Sequence, residues 1–109
     1  MATKLYKRKY TAEDLSKVEK YIAKYGAQLL IETWQDYEDS DGFIYDIKPN
    51  NLFHAIQMTD KYYDNINSNY RVAELILREK NGEYTCIYHI EKNREGLTYE
   101  VLNYARGIK

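Results

Sequence analysis

The chain has 109 residues, of which 44% are hydrophobic and 30% charged, with a formal net charge of −1. This length suits one domain, and this composition is typical of a folded protein and excludes a disordered chain. The sequence has no apolar run long enough for a membrane span, no apolar segment after its basic N-terminal residues, and one cysteine, Cys86. We therefore expect a cytoplasmic protein with no secretory signal, no disulfide and no membrane contact.

The charges are unevenly distributed along the chain. Residues 1–25 hold seven Lys and Arg against three Asp and Glu, whereas residues 26–64 hold two against eight. The abundant Tyr, Ile, Lys and Asn residues have AT-rich codons, as expected for many Gram-positive bacteria and their phages. A basic end and an acidic middle indicate that the two regions favour partners of opposite charge.

Residues 1–10 have no helix or strand period, and we interpret them as a basic arm before a single domain at residues 11–109. Basic and aromatic residues are interleaved here, a pattern that suits phosphate contacts and stacking on bases. The candidate nucleic-acid-binding residues are Lys4, Tyr6, Lys7, Arg8 and Lys9. The alternative is a solvated arm without a ligand.

The first predicted helix begins after Thr11, and Asp14 completes an approximate capping box. Gly26 has the position of the left-handed residue that follows many helices. The apolar residues at helical spacing are Leu15, Val18, Ile22 and Tyr25.

Two segments of alternating pattern follow and predict a hairpin, AQLLIETWQDY and FIYDIK. The residues Ser40, Asp41 and Gly42 between them predict a type I turn closed by glycine. This register places Asp39, Tyr37 and Gln35 opposite Phe43, Tyr45 and Ile47, respectively.

The acidic residues of this hairpin are the main functional candidate. A calcium loop with Gly42 at its sixth position would need ligands at Tyr37 and Lys48, so we expect no metal. Carboxylates along a strand and turn can imitate nucleic-acid phosphates and occupy a basic groove. The alternative is a solvated turn in which Asp and Gly serve turn geometry. The candidate partner-binding residues are Trp34, Asp36, Tyr37, Glu38, Asp39, Asp41 and Asp46.

A second helix and a second hairpin are predicted after Pro49. Asn50 or Asn51 caps the helix, whose apolar stripe is Leu52, Ile56, Tyr63 and Ile66. Asn81-Gly82 predicts a type I′ turn for the hairpin. This register puts Leu77, Leu75 and Ala73 opposite Cys86, Tyr88 and Ile90 on the core face, and Glu74 and Arg78 opposite His89 and Thr85 on the other.

The pair Glu74 and His89, with Arg78 on the same face, supplies the parts of metal-independent RNA cleavage. A surface ion pair across two strands is the alternative. No catalytic motif supports the enzyme, so we assign no catalytic residue. We also expect no cofactor, because neither histidine nor Cys86 has a second ligand at metal-binding spacing.

The tail after Glu95 fits a helix through Leu97, Val101 and Tyr104, with a fifth strand as the less favoured alternative. The pattern AQLLI then FIYDI also resembles AELIL then CIYHI, which indicates either an internal duplication or two ordinary amphipathic hairpins. The expected fold is α+β. Two αββ units form a four-stranded, mainly antiparallel sheet with helices on one face and a C-terminal helix.

These patterns favour a small non-enzymatic protein that binds and inhibits a host nucleic-acid-handling protein through the acidic hairpin, as anti-defence proteins of phages or mobile elements do. We expect a protein partner with a basic surface. The alternatives are a nucleic-acid-binding accessory protein that uses the basic arm, and a small ribonuclease. Ile44, Ile76, Ile87 and Trp34 face away from the predicted core, so a homodimer also fits.

Overall fold

The computed structural model describes residues 10–36, 38 and 41–107. These residues form three helices, α1 (Ala12–Tyr25), α2 (Leu52–Asn65) and α3 (Tyr99–Ala105), and five strands, β1 (Gly26–Trp34), β2 (Phe43–Ile47), β3 (Val72–Glu79), β4 (Tyr84–Glu91) and β5 (Arg94–Leu97). The predicted α+β class is confirmed. None of these helices is both long and apolar enough to cross a membrane.

The strands form one sheet in the order β2-β1-β3-β4-β5, and each neighbouring pair is antiparallel. The prediction of four strands is wrong, because the tail contains both β5 and α3. A four-residue strand is too short to show an alternating pattern. It is held by its contacts instead: Leu97 is buried, and Glu95 lies 3.1 Å from the hydroxyl of buried Tyr88.

All three helices contribute to a single hydrophobic core with one face of the sheet. Ile31 of β1 and Leu75 and Leu77 of β3 are fully buried there. The predicted α2 stripe is confirmed, since Leu52, Ile56, Tyr63 and Ile66 are all buried. Burial of apolar surface at this layer is the main stabilising contribution to the fold.

Helix α1 begins as predicted, because Thr11 and Asp14 exchange side-chain-to-backbone hydrogen bonds of 3.0 and 3.1 Å. The prediction of a left-handed Gly26 is wrong. Gly26 has extended backbone, with φ −84° and ψ 142°, and continues directly into β1. A close approach explains the glycine, since a Cβ there would lie 2.6 Å from both the Ile22 carbonyl oxygen and Leu77 Cδ1.

The hairpin β3–β4 differs from the prediction at its turn. Gly82 has a positive φ of +91° but Asn81 does not, and the Gly82 amide donates to the Glu79 carbonyl. This is a type I turn closed by a left-handed glycine and not a type I′ turn. Because the turn is one residue longer, Leu77 pairs with Thr85 and Arg78 with Tyr84.

A β-bulge in β4 then restores the predicted register. Ala73, Glu74 and Leu75 pair with Ile90, His89 and Tyr88, as expected. The extra residue is Ile87, which is fully buried, so its predicted place on the outer face is wrong. Thr98 stabilises the bulge by donating its amide to the Ile87 carbonyl and its hydroxyl to the Cys86 carbonyl, at 3.0 and 2.8 Å.

The hairpin β1–β2 also has a different register from the predicted one. Ile31 pairs with Tyr45 and Leu29 with Ile47, so each β2 residue lies opposite a residue six positions earlier in β1 than expected. The faces are unchanged, because an even shift keeps side chains on the same side of a strand. The connection therefore spans residues 35–42 and is not a three-residue turn.

Candidate functional site

The sheet face opposite the core carries no helix from the described part of the chain. We call it the open face. Its side chains lie in cross-strand rows, because neighbours in an antiparallel sheet stand opposite one another. The central residues are Leu30, Glu32, Trp34, Ile44, Val72, Glu74, Ile76, Cys86 and His89.

Two carboxylates meet at the centre of the open face. Glu32 of β1 lies directly opposite Glu74 of β3, and both are half-buried. Burial, together with the charge of Glu74, raises the pKa of the Glu32 carboxyl. Among the described residues, no side chain forms a hydrogen bond or ion pair with Glu32. Like charges opposite one another destabilise a sheet, so the fold alone does not account for this pair.

The rows on either side of the carboxylate pair are apolar at their central positions on β1 and β3. Leu30 lies opposite Ile76 in one row, and Trp34 lies opposite Val72 in the other. Leu30 is only 6% exposed, whereas Ile44, beside Glu32 on the edge strand, is 60% exposed. Apolar neighbours that exclude water strengthen electrostatic interactions with the carboxylates. The open face can therefore surround a cation with two acids and an apolar rim.

His89 lies beside this pair and is held between two carboxylates. Its Nδ1 atom is 2.6 Å from Glu74 Oε2, and its Nε2 atom is 2.8 Å from Glu91 Oε1. Burial alone would lower the His89 pKa, but the hydrogen bonds to Glu74 and Glu91 outweigh burial and raise it. The structure thus brings together Glu74 and His89, as the sequence indicated.

This arrangement differs from the one that RNA cleavage needs. Both ring nitrogens of His89 are engaged by carboxylates, so neither points to a substrate. Arg78 lies four residues along β3 from Glu74 and pairs with Tyr84, roughly 13 Å away at the rise of a strand. The geometry is that of an ion-pair network, which was the alternative interpretation.

Cys86 also lies on the open face. The prediction that it belongs to the core face is wrong, because the longer turn reverses the faces of Thr85 and Cys86. Thr85 is buried on the core side, whereas Cys86 is half-buried beside Ile76. Burial and the nearby Glu74 raise the pKa of the Cys86 thiol well above its usual range. A protonated thiol is a poor nucleophile, so this cysteine contributes packing.

The β1–β2 connection places further acids at one end of the open face. Asp36, Glu38 and Asp41 are exposed, and Asp36 accepts the Glu38 amide at 2.9 Å, which is a local turn contact. Gly42 lies against β1: a Cβ there would be 2.9 Å from Trp34 Nε1 and 3.0 Å from Glu32 Oε2. Of the other predicted partner-binding residues, Tyr37 and Asp39 lie outside the described residues.

Asp46 lies apart from Trp34, Asp36, Glu38 and Asp41, the other described residues of the predicted partner-binding set. It is on β2 opposite Leu30, four residues along the sheet from the position of Trp34. Its carboxylate accepts a hydrogen bond of 2.8 Å from Gln28. Asp46 therefore belongs to the open face but not to the acidic end of the hairpin. The candidate nucleic-acid-binding residues of the arm, Lys4, Tyr6, Lys7, Arg8 and Lys9, lie outside the described residues.

The comparisons with known proteins add no relative. No family model matches the sequence, and neither a curated protein nor a solved structure matches the chain.

Within residues 10–36, 38 and 41–107, no three His, Cys, Asp or Glu side chains are arranged to hold a metal ion.

Glu32 is the site residue that sequence analysis did not identify. The alternating pattern placed it on the same face as Trp34, but without a partner it is an ordinary exposed acid. Its significance depends on the pairing of β1 with β3, which brings it to Glu74 across 42 positions of sequence. A strand pattern does not specify which strands become neighbours.

Proposed function

We propose that this chain is a small binding protein that inhibits a nucleic-acid-handling protein by docking its open face on that protein's basic surface. The observation that carries this proposal is the Glu32–Glu74 pair, two half-buried carboxylates directly opposite each other, with Glu32 unpaired among the described residues. A pair of like charges that lowers the stability of the free protein is expected where a ligand of opposite charge removes the repulsion.

A lysine or arginine side chain of the partner fits this centre. Inserted between Glu32 and Glu74, it would replace repulsion with two charge-assisted hydrogen bonds. Ile44 and Trp34 would cover the stem of the inserted side chain, and contact with these apolar groups would add to the affinity. His89 already occupies one side of Glu74, so Glu32 is the more available carboxylate.

The exposed acids of the connection would act at longer range. Asp36, Glu38 and Asp41 lie at the end of the sheet where β1 meets Gly42. Negative charge spread over this end attracts surfaces shaped to bind phosphates, and the attraction mainly accelerates association. A protein that handles nucleic acid offers such a surface, which supports the proposed class of target.

The central test is the capture of targets by matched charge variants. We expect the tagged protein, purified from cells that naturally make it, to retain a basic nucleic-acid-binding protein that free RNA or DNA displaces. Glu32→Lys should lower affinity for the purified target by about tenfold or more, because it places a cation against a basic surface. Glu83→Lys, the same charge change at the exposed β3–β4 turn, should leave affinity unchanged.

A second measurement separates the effect of the acids in the β1–β2 connection from the effect of the Glu32–Glu74 pair. Changing Asp36, Glu38 and Asp41 together to their amides should slow association and flatten its dependence on salt, with a smaller effect on dissociation. Equal affinity of the wild type and Glu32→Lys for the captured protein contradicts the proposal. Capture that free nucleic acid does not reduce contradicts the proposed class of target.

A further inference from the structure

A second surface lies on the helical layer, where α1 and α3 meet. A groove of about 340 Å³ is lined there by Lys17, Lys20 and Lys24 and by Tyr21, Tyr25 and Tyr104. None of these residues belongs to the open face or to the N-terminal arm. The groove is therefore separate from the surface of the proposed function.

The three tyrosines of the groove form one aromatic cluster. The ring centroid of Tyr21 is 4.9 Å from that of Tyr25 and 4.6 Å from that of Tyr104, and the latter two are 5.5 Å apart. The Tyr25 and Tyr104 hydroxyls are also hydrogen-bonded to each other. Tyr104 is 53% exposed, so the cluster presents aromatic surface to solvent while its rings hold one another in place.

The lysines add a row of positive charge along α1. Lys17 and Lys24 are seven residues apart, which is about 10 Å along a helix. Lys17 pairs with Glu13 at 3.3 Å, but no carboxylate of the described residues lies within ion-pair distance of Lys20 or Lys24. The Lys24 ammonium is 5.1 Å from the centre of the Tyr25 ring, so cation and aromatic face are presented together.

Two acids lie near the groove without lining it. Glu79 accepts hydrogen bonds from the hydroxyl of Tyr21, which lines the groove, and from that of Thr85. Glu100 lies on α3 but does not line the groove. The three lysines outnumber Glu13 and Glu79, which contact groove residues, so the local balance favours an anion.

We propose that the α1–α3 groove binds single-stranded nucleic acid, with Lys20 and Lys24 holding backbone phosphates and Tyr25 and Tyr104 stacking on bases. This combination of a cationic track and aromatic platforms is the one by which proteins hold single strands without reading their sequence. An acidic peptide would use the lysines but would not require exposed tyrosine rings.

Fluorescence anisotropy with a labelled oligothymidylate of about 12 nucleotides tests the proposal. We expect binding that weakens as salt increases, and the double variant Lys20→Gln/Lys24→Gln should reduce the salt slope by about one to two units. The control Lys48→Gln/Lys61→Gln makes the same charge change at exposed sites outside the groove and should keep the wild-type slope. Equal losses in the two double variants would refute the groove.

Stacking needs a separate variant. Tyr104→Ser should weaken oligothymidylate binding about tenfold, whereas Tyr84→Ser, which removes a tyrosine that is 64% exposed on β4, should not. Circular dichroism of each variant checks that the fold is retained. Unchanged binding by a folded Tyr104→Ser protein, or binding of polyglutamate as tight as that of the oligonucleotide, overturns the proposal.

Discussion

Leu30 of β1 lies directly opposite Ile76 of β3, and this pair lies where the two αββ units meet. On either side of it, Leu29 pairs with Leu77 and Ile31 with Leu75. A two-fold rotation that places β1 on β3 converts the Leu29–Leu77 pair into the Ile31–Leu75 pair. The same rotation matches AQLLI with AELIL, the two segments that resemble each other in the sequence. The outer strands follow it less closely, since Ile47 pairs with Leu29 but Ile90 pairs with Ala73.

The first prediction concerns stability and the Leu30–Ile76 pair. Leu30→Ala should reduce the free energy of unfolding by about 2 to 3 kcal/mol, because its side chain is 6% exposed although it lies on the open face. Ile44→Ala, in the neighbouring row and 60% exposed, should cost less than about 0.5 kcal/mol. Urea denaturation of both variants measures the difference. If both variants lost equally little free energy of unfolding, the Leu30 side chain would not be packed as a core residue is.

The carboxylate pair makes a second prediction, of opposite sign. Glu32→Gln should increase the free energy of unfolding at neutral pH by up to about 1 kcal/mol, because it removes a charge that both burial and repulsion from Glu74 disfavour. Burial and Glu74 raise the Glu32 pKa, so the folded state binds this proton more tightly than the unfolded state does. The stabilisation that protonated Glu32 contributes is present below the unfolded pKa and is lost as pH rises through the folded pKa.

The gain from Glu32→Gln should therefore shrink as the pH is lowered into the range where Glu32 is protonated. Denaturant titrations at neutral and acidic pH test this dependence. Glu38→Gln, a change of the same kind in the exposed connection, is the control and should have little effect at either pH. A gain that is independent of pH would show that the charge of Glu32 is not its cause.

His89 makes a third prediction, about pH near neutrality. Its pKa is raised because the hydrogen bonds to Glu74 and Glu91 outweigh its burial. The stabilisation is complete below the unfolded histidine pKa and is lost as pH rises through the raised folded value. The free energy of unfolding should fall across this range in the wild type but not in His89→Gln. His54→Gln should retain the fall, since the His54 ring accepts the Asn50 amide instead of contacting a carboxylate.

The fourth prediction concerns the contact between the two ends of the domain. Arg106 donates to Asp14 from Nε at 2.9 Å and from Nη2 at 2.6 Å, and only 8% of the Asp14 side chain is exposed. Arg106→Gln should cost about 1 to 3 kcal/mol, because it leaves a buried carboxylate without its cation. Arg94→Gln should cost less than about 1 kcal/mol, since the Arg94 side chain is 43% exposed and its 3.5 Å contact with Glu91 lies near solvent.

The Asp14–Arg106 contact should also weaken in acid. Burial would raise the Asp14 pKa, but hydrogen bonds from the Thr11 backbone and from Arg106 outweigh it and lower the pKa. The stabilisation is present above the unfolded pKa and is lost as pH falls through the folded value. A double-mutant cycle with Asp14→Asn at neutral and low pH measures the coupling. Additive effects of the two changes at neutral pH would rule out a direct interaction.

Local patterns predicted α1, α2 and β1 to β4, but not β5. The Thr11–Asp14 capping box and the α2 stripe follow from interactions between residues close in sequence, and both were predicted correctly. The alternation of β4 was predicted wrongly at Thr85, Cys86 and Ile87, because the turn is longer and the strand contains a bulge. The acidic character of residues 26–64 is likewise a property of composition. The sequence also placed Glu74 opposite His89, and this pairing holds because the bulge at Ile87 offsets the extra residue of the turn.

Only the tertiary structure decided which strands are neighbours and where the register changes. The bulge at Ile87 depends on Thr98 from the C-terminal segment, and β5 depends on contacts of Glu95 and Leu97 with β4. The like-charged pair Glu32–Glu74 and the tyrosine–lysine groove also join segments that are distant in sequence. Local residue preferences carry no information about such contacts, because the free energy that selects them comes from burying the whole core at once.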